Sequence, residues 1–186
     1  MTIIAILIAF ALCHFIRELG RFRQNRWLPG WIDLANDALG KLPAWSGVTG
    51  FLLLIAVPLA VLLLVNQFLI SLFGNTGAFL LALAVLIYTF GPRDLDTDVA
   101  AVVDEEDEGL RAEKLEKLLG RPVPGDRDEC RAAAVETVFE EALRRWFGII
   151  FWFAVLGVAG AFVYRLVDWL VRGDYPLSEE QKSLFK

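Results

Sequence analysis

Residues 48–90 read VTGFLLLIAVPLAVLLLVNQFLISLF (48–73), GNTG (74–77) and AFLLALAVLIYTF (78–90). No charged residue interrupts them. A helix needs roughly 20 apolar residues to cross a hydrocarbon core of ~30 Å. Residues 48–73 pass that test even with Pro58, Asn66, Gln67 and Ser71 among them. Residues 77–90 are short for a span unless the Tyr88 region sits in the headgroups. Gly and Asn tolerate positive φ, so Gly74-Asn75-Thr76-Gly77 suits a tight helix-helix turn. The stretch therefore predicts a transmembrane hairpin whose flanks, 17–47 and 91–146, share a compartment. Those flanks carry five and nine Lys/Arg, and the turn carries none. The positive-inside rule then places both flanks in the cytoplasm and the turn outside. The sixteen acids of 91–146 count little in that rule.

Two more apolar blocks lie on either side of the hairpin. Residues 2–16 predict a short spanning helix or an interfacial one. No basic residue precedes them and no small-x-small cleavage site follows, which excludes a secretory signal. Residues 147–172 predict a fourth membrane segment, with Arg165 and Asp168 near its edge. The amino terminus and the tail 173–186 would then both lie outside. The bulk numbers agree with a membrane protein. Of 186 residues 56% are apolar and 22% charged, and the mean hydropathy of +0.53 is too high for an ordinary soluble domain. A net charge of −5 provides no basic field for a nucleic-acid backbone, so the lipid bilayer is the expected partner. Two Cys and one His exclude a disulfide scaffold and a multi-His/Cys zinc site, and neither metal nor cofactor is expected.

The hydrophilic region 91–146 reads as loop, helix, loop, helix. Pro92 ends the third segment. Asp104 to Glu108 is a run of five acids, read as a solvated stretch; it lacks the alternating ligands and turn glycine of a calcium loop. Leu110 to Leu119 predicts a short amphipathic helix, which Gly120 to Gly125 breaks. Asp126 or Asp128 caps the next helix. Its apolar stripe is Val135, Val138, Phe139, Ala142, Leu143 and Trp146. Glu136, Glu140 and Arg144 share another face. Glu140–Arg144 and Glu141–Arg145 form i,i+4 pairs. Tyr164, Arg165 and Asp168 make a second polar cluster. On one straight helix Glu140 and Arg165 lie about 37 Å apart. The two clusters meet only if the chain breaks at Gly157-Val158-Ala159-Gly160 and turns back. Ser178-Glu179-Glu180-Gln181 reads as a capping box, and a helix opened so near residue 186 predicts a longer natural chain.

The carboxyl half resembles the AmpE/CobD-CbiB family of bacterial inner-membrane proteins. The resemblance rests on Phe90 to Leu95, Ala134 to Glu140 (a V-E-x-x-x-E helix), Phe151-Trp152-Phe153, and Gly157 to Arg165 (a G-x-x-G-A-x-x-Y-R element). One branch of that family attaches an aminopropanol-type arm to adenosylcobyric acid with ATP. It implies roles for Glu136, Glu140, Tyr164 and Arg165. That branch expects Asn or Asp where this chain has Arg144-Arg145, and an N-T-L-D-like stretch where it has Leu166-Val167-Asp168-Trp169. The AmpE branch has the Arg-rich, Phe/Trp-rich entry and the Tyr-Arg pair, and this chain is closer to it. The resemblance implies signalling that controls β-lactamase induction.

The expectation is an all-α integral membrane protein with about four membrane segments. Residues 1–90 would hold the amino-terminal segments, 91–146 an amphipathic cytoplasmic helical loop, and 147–172 the last segment. The location would be the bacterial inner membrane. The expected role is binding rather than catalysis, of a soluble cytoplasmic regulator or a cell-wall-derived ligand. Glu136, Glu140, Arg144, Tyr164, Arg165 and Asp168 are the candidate binding residues. A cobalamin-arm synthetase and a membrane scaffold are the alternatives. Single cysteines at Asn75 and Glu106 should label from opposite sides of the membrane with an impermeant maleimide; labelling of both from one side contradicts the hairpin topology.

Overall fold

In the computed structural model, residues 2–15, 26–41, 45, 47–90, 95–173 and 175 are described, and they form helices without any strand. In chain order these are α1 (Thr2–Phe15), α2 (Trp27–Leu39), α3 (Val48–Phe73), α4 (Asn75–Thr89), α5 (Leu95–Val103), α6 (Glu108–Leu119), α7 (Arg127–Ala142) and α8 (Gly148–Arg172). One π-turn, Leu143–Phe147, joins α7 to α8. Two helical runs are long and apolar enough to cross a membrane, Val48–Phe73 and Asp128–Arg172. The all-α membrane architecture read from the sequence is the observed one.

The α3–α4 hairpin forms at residue 74. Gly74 alone makes the reversal, at φ 57° and ψ −142°, a region open essentially to glycine. Helix α4 then starts at Asn75, two residues before the expected Gly77. Pro58 sits inside α3 and has no N–H for the carbonyl of Leu54, four residues back. The indole Nε1 of Trp31 donates to that carbonyl at 3.1 Å. Helix α2 is thereby pinned to α3, with Leu28, Ile32 and Ala35 buried along one face. The sequence reading assigned residues 27–39 only to a cytoplasmic flank.

Helix α4 is the hub, touching α1, α3 and α8. Ala5, Ala9 and Cys13, four residues apart, bury the small-residue face of α1 in a cluster with Leu86, Phe90, Ile149, Phe153 and Ala161. Helix α1 packs into the bundle along this face. The second cluster joins α2, α3 and the last part of α8, through Leu54, Ile55, Phe162 and Leu166. Aromatic residues gather at one end of the bundle. Phe10 meets Phe90 and Trp146 edge-on, Tyr88 meets Trp169, and Trp27 Nε1 donates to the Tyr88 hydroxyl at 2.6 Å. Such a belt is what a membrane interface favours.

The segment 147–172 departs from a straight span. Gly157 has φ 65° and ψ −147° inside α8 and breaks it. A Cβ at residue 160 would lie 2.2 Å from the Trp152 carbonyl oxygen, and one at 148 would lie 2.3 Å from the Tyr164 hydroxyl. Arg144 reaches Asp168 at 3.0 Å. The pairs 152/160, 148/164 and 144/168 are all centred on residue 156, so the two arms run antiparallel. The residues after the tip, Gly157, Val158 and Ala159, line a cavity of about 560 Å³ with Thr2, Leu62, Asn66, Asn75 and Ala78, while Val155 and Leu156 are exposed. Residues 147–172 are therefore a re-entrant hairpin. Arg172 returns to the end it started from, which corrects the expectation that the chain leaves on the opposite side. The Ser178–Gln181 capping box lies outside the described residues.

The hydrophilic region follows its sequence pattern at the caps. Asp107 accepts from the backbone N–H of Gly109 and Leu110 at the start of α6, and Asp126 accepts from Asp128 and Glu129 at the start of α7. Glu105 accepts from Lys114, a hydrogen bond that holds its carboxyl below the usual carboxylate range. Two members of the acidic run thus order the α5–α6 connection. The predicted apolar stripe of α7 does not form a core: Val135, Phe139 and Leu143 are exposed.

Replacing Gly157 by Ala puts a Cβ on a backbone conformation nearly closed to L-residues. The unfolding free energy in detergent micelles should fall by about 1–3 kcal/mol. Unchanged stability would contradict a reversal at this residue.

Candidate functional site: a charged groove at the mouth of the re-entrant hairpin

Three elements build the groove. The end of α7 supplies Glu140 and Glu141, the π-turn supplies Leu143 and Arg144, and the returning arm of α8 supplies Tyr164, Val167, Asp168, Val171 and Arg172. Its volume is about 590 Å³. The π-turn matters for aim. Gly148 N–H donates to the Leu143 carbonyl five residues back, so the turn widens just where the two arginines project. The Tyr164 hydroxyl donates to the Arg144 carbonyl at 3.2 Å, within the widened turn.

Asp168 is the centre of the charge network. Its carboxylate accepts from Arg144 at 3.0 and 3.2 Å and from Arg165 at 2.8 Å, and Arg172 approaches at 3.2 Å. The Asp168 side chain is 9% exposed and that of Arg165 only 3%. Glu141 holds the second node: it accepts from Arg144 and, at 2.6 Å, from Arg145. The guanidinium carbon of Arg165 stands 5.5 Å from the centroid of the Trp169 ring.

The hairpin thus joins most of the two clusters that the sequence left apart. Glu140, Arg144, Tyr164 and Asp168 line one groove, and Arg165 is tied to it through Asp168. Glu136 is not part of it; it is exposed and faces Arg121 at 3.8 Å. The expected Glu140–Arg144 pair gives way to Arg144 with Glu141 and Asp168, whereas Glu141–Arg145 forms as expected. Sequence reasoning missed Glu141, Arg145 and Arg172 as members of the site. Arg172 stands four residues after Asp168, a spacing that could have flagged it.

The cobalamin branch implies Mg-ATP, and two of the three acids that line the groove are engaged by arginines. Glu141 and Asp168 are each held by at least two guanidiniums, and Glu136 lies apart from Glu140. Among the described residues no group of three His, Cys, Asp or Glu converges on a metal position.

Truncating Asp168 to Ala strips the shared partner from buried arginines. The expected loss is about 3–5 kcal/mol in micellar unfolding. Glu136→Ala, on an exposed face, should stay within about 0.5 kcal/mol. Equal effects of the two would contradict the central place given to Asp168.

Comparison with known proteins adds the lineage. The model of the family described as CobD/Cbib protein matches residues 6–170, from within α1 almost to the end of α8. No curated protein and no solved structure matches the chain. With that match covering most of the chain, including all of the groove but Val171 and Arg172, the chain belongs to the CobD/Cbib family.

Proposed function

We propose that this protein is an inner-membrane regulator of the AmpE kind within its family. On this reading it acts by binding a ligand or a soluble partner in the groove of Glu140, Glu141, Arg144, Tyr164, Asp168 and Arg172. One observation carries the reading. Arg144 and Arg145 stand where the cobalamin branch expects Asn or Asp, and they neutralise the nearby carboxylates instead of leaving them for a metal. A groove in which two of three acids, Glu141 and Asp168, are paired with arginines is suited to recognition. The arginine-rich end of the bundle would face the cytoplasm by the positive-inside rule, within reach of a soluble regulator. The output would be control of β-lactamase induction or of a cell-envelope stress response.

The second reading is synthesis of the cobalamin arm. It is favoured by the family match itself, which spans 6–170 under the description CobD/Cbib and supports that activity at least as well as regulation. Two assays separate the readings. In a host whose β-lactamase is inducible, Arg144→Ala and Asp168→Ala should abolish the contribution of this protein to induction, and Glu136→Ala should leave it intact. Purified protein should form no amide on adenosylcobyric acid with ATP and the aminopropanol-type arm. Turnover in that assay overturns the regulatory reading in favour of the enzyme.

A further inference from the structure

The apolar stripe of α7 is uncovered. Val135, Phe139 and Leu143 are exposed, Phe139 to 68%. The pattern does not stop where the helix does. Phe147, at the end of the π-turn, and Phe151, in the first arm of α8, are exposed as well and keep the same spacing of four residues. Side chains four apart stack along one helix face, so one apolar strip runs from residue 135 to residue 151. The other side of α7 is closed. At ~100° per residue Ala133 stands nearly opposite Val135. Ala133 is buried, and α5 and α6 pack on α7.

The depth of the strip follows from the hairpin. The arms of residues 147–172 pair about residue 156, and the end of α7 continues beside the last turn of α8, since Glu140 and Arg172 line one groove. Continued outward, that register sets Phe139 level with Gly173, the residue that ends α8. Helix α8 stays apolar out to Val171, and the exposed charge of Arg172 marks where hydrocarbon gives way to headgroups. Val135 stands only ~6 Å further out than Phe139, against a headgroup layer of about 5–8 Å on each side of the core.

We propose that the Val135–Phe139–Leu143 face of α7 is a lipid-facing surface, seated in the boundary between headgroups and acyl chains. Its continuity with Phe147 and Phe151 on a membrane segment assigns the occupant as lipid rather than a soluble protein or a second copy. The contact is apolar in origin. Helix α7 carries five acids against two arginines, so anionic headgroups do not attract it and a neutral bilayer suffices. The hydrophilic region 91–146 is then anchored along α7 as well as at its two ends, and α5 and α6 form the side that a soluble partner can reach. The inference goes beyond the proposed function and holds for either of its two readings.

The test places a nitroxide label on the full chain in phosphatidylcholine nanodiscs, one chain per disc. In a Cys13→Ala, Cys130→Ala background, Val135→Cys, Phe139→Cys and Glu129→Cys are labelled one at a time. Paramagnetic resonance then reads collisions with oxygen, which concentrates in lipid, and with a water-soluble nickel chelate. At residue 139 oxygen collisions should prevail, with nickel collisions several-fold rarer than at 129. Residue 135 should lie between the two. Adding phosphatidylglycerol should leave the order unchanged. Nickel collisions at 139 as frequent as at 129 place the face in water, free for a soluble protein, and overturn the proposal. Exclusion of both reagents at 139 overturns it too, as does dipolar broadening in vesicles that reveals a second copy on this face. Lipid contact that appears only with phosphatidylglycerol overturns the apolar basis. Circular dichroism melts identify a variant that does not fold; should Phe139→Cys fail, Val135→Cys carries the label. The unaltered chain gives a second readout. Hydroxyl-radical oxidation of Phe139 in single-chain nanodiscs should be several-fold slower than in the urea-unfolded chain, and equal rates contradict a lipid-covered face.

Discussion

Arg144 and Asp168 lie 24 residues apart in sequence and 3.0 Å apart in space. That contact depends on the backbone reversing at Gly157, and the groove depends on that contact. A straight helix would leave the two side chains separated by most of a bilayer. Charges in a low-dielectric setting must be paired or they shift or distort their surroundings. Here one carboxylate serves three guanidiniums, and Glu141 binds one of them, Arg144, a second time. The hairpin and the ion network therefore define each other: the reversal supplies proximity, and the network closes the mouth.

The packing around the hairpin makes such a reversal tolerable. Residues 152 and 160 approach so closely that a side chain at 160 has no room. Small residues along α1 and α8 let the arms sit against α4. In a lipid environment, where apolar burial gives helices little reason to associate, close approach of this kind holds a bundle together. The helix break at Gly157 is only half-buried, and the residues before it, Val155 and Leu156, are exposed. On α3, Pro58 frees a carbonyl and Trp31 occupies it.

Family membership and local chemistry answer different questions. The match over 6–170 fixes lineage and agrees with a membrane bundle. It does not fix what the groove accepts, because function resides in the side chains grafted on a fold. At the positions that distinguish the branches, this chain places arginines and an aspartate that engage one another.

From residues alone, the membrane class, the tight turn at Gly74, the N-cap of α7 and the Glu141–Arg145 pair were all legible, whereas the α6 cap Asp107 had been read as part of a solvated acidic run. Each depends on neighbours within a few positions, and periodicity, propensity or spacing reports such neighbours directly. The positions of Tyr164, Arg165 and Asp168 were also visible as unusual polar residues beside an apolar run. Their union with Glu140 and Arg144 was not. A glycine in a small-residue stretch suits either a close-packed straight helix or a reversal, and the sequence is the same for both. Only contacts between distant segments, Trp152 against Gly160 and Arg144 against Asp168, decide which backbone conformation Gly157 adopts. Tertiary structure therefore set the route of the last segment, the exclusion of Glu136 and the inclusion of Arg172. Local sequence set the helices themselves, because a helix is closed by bonds four residues long, whereas a site is closed by whatever the fold brings near.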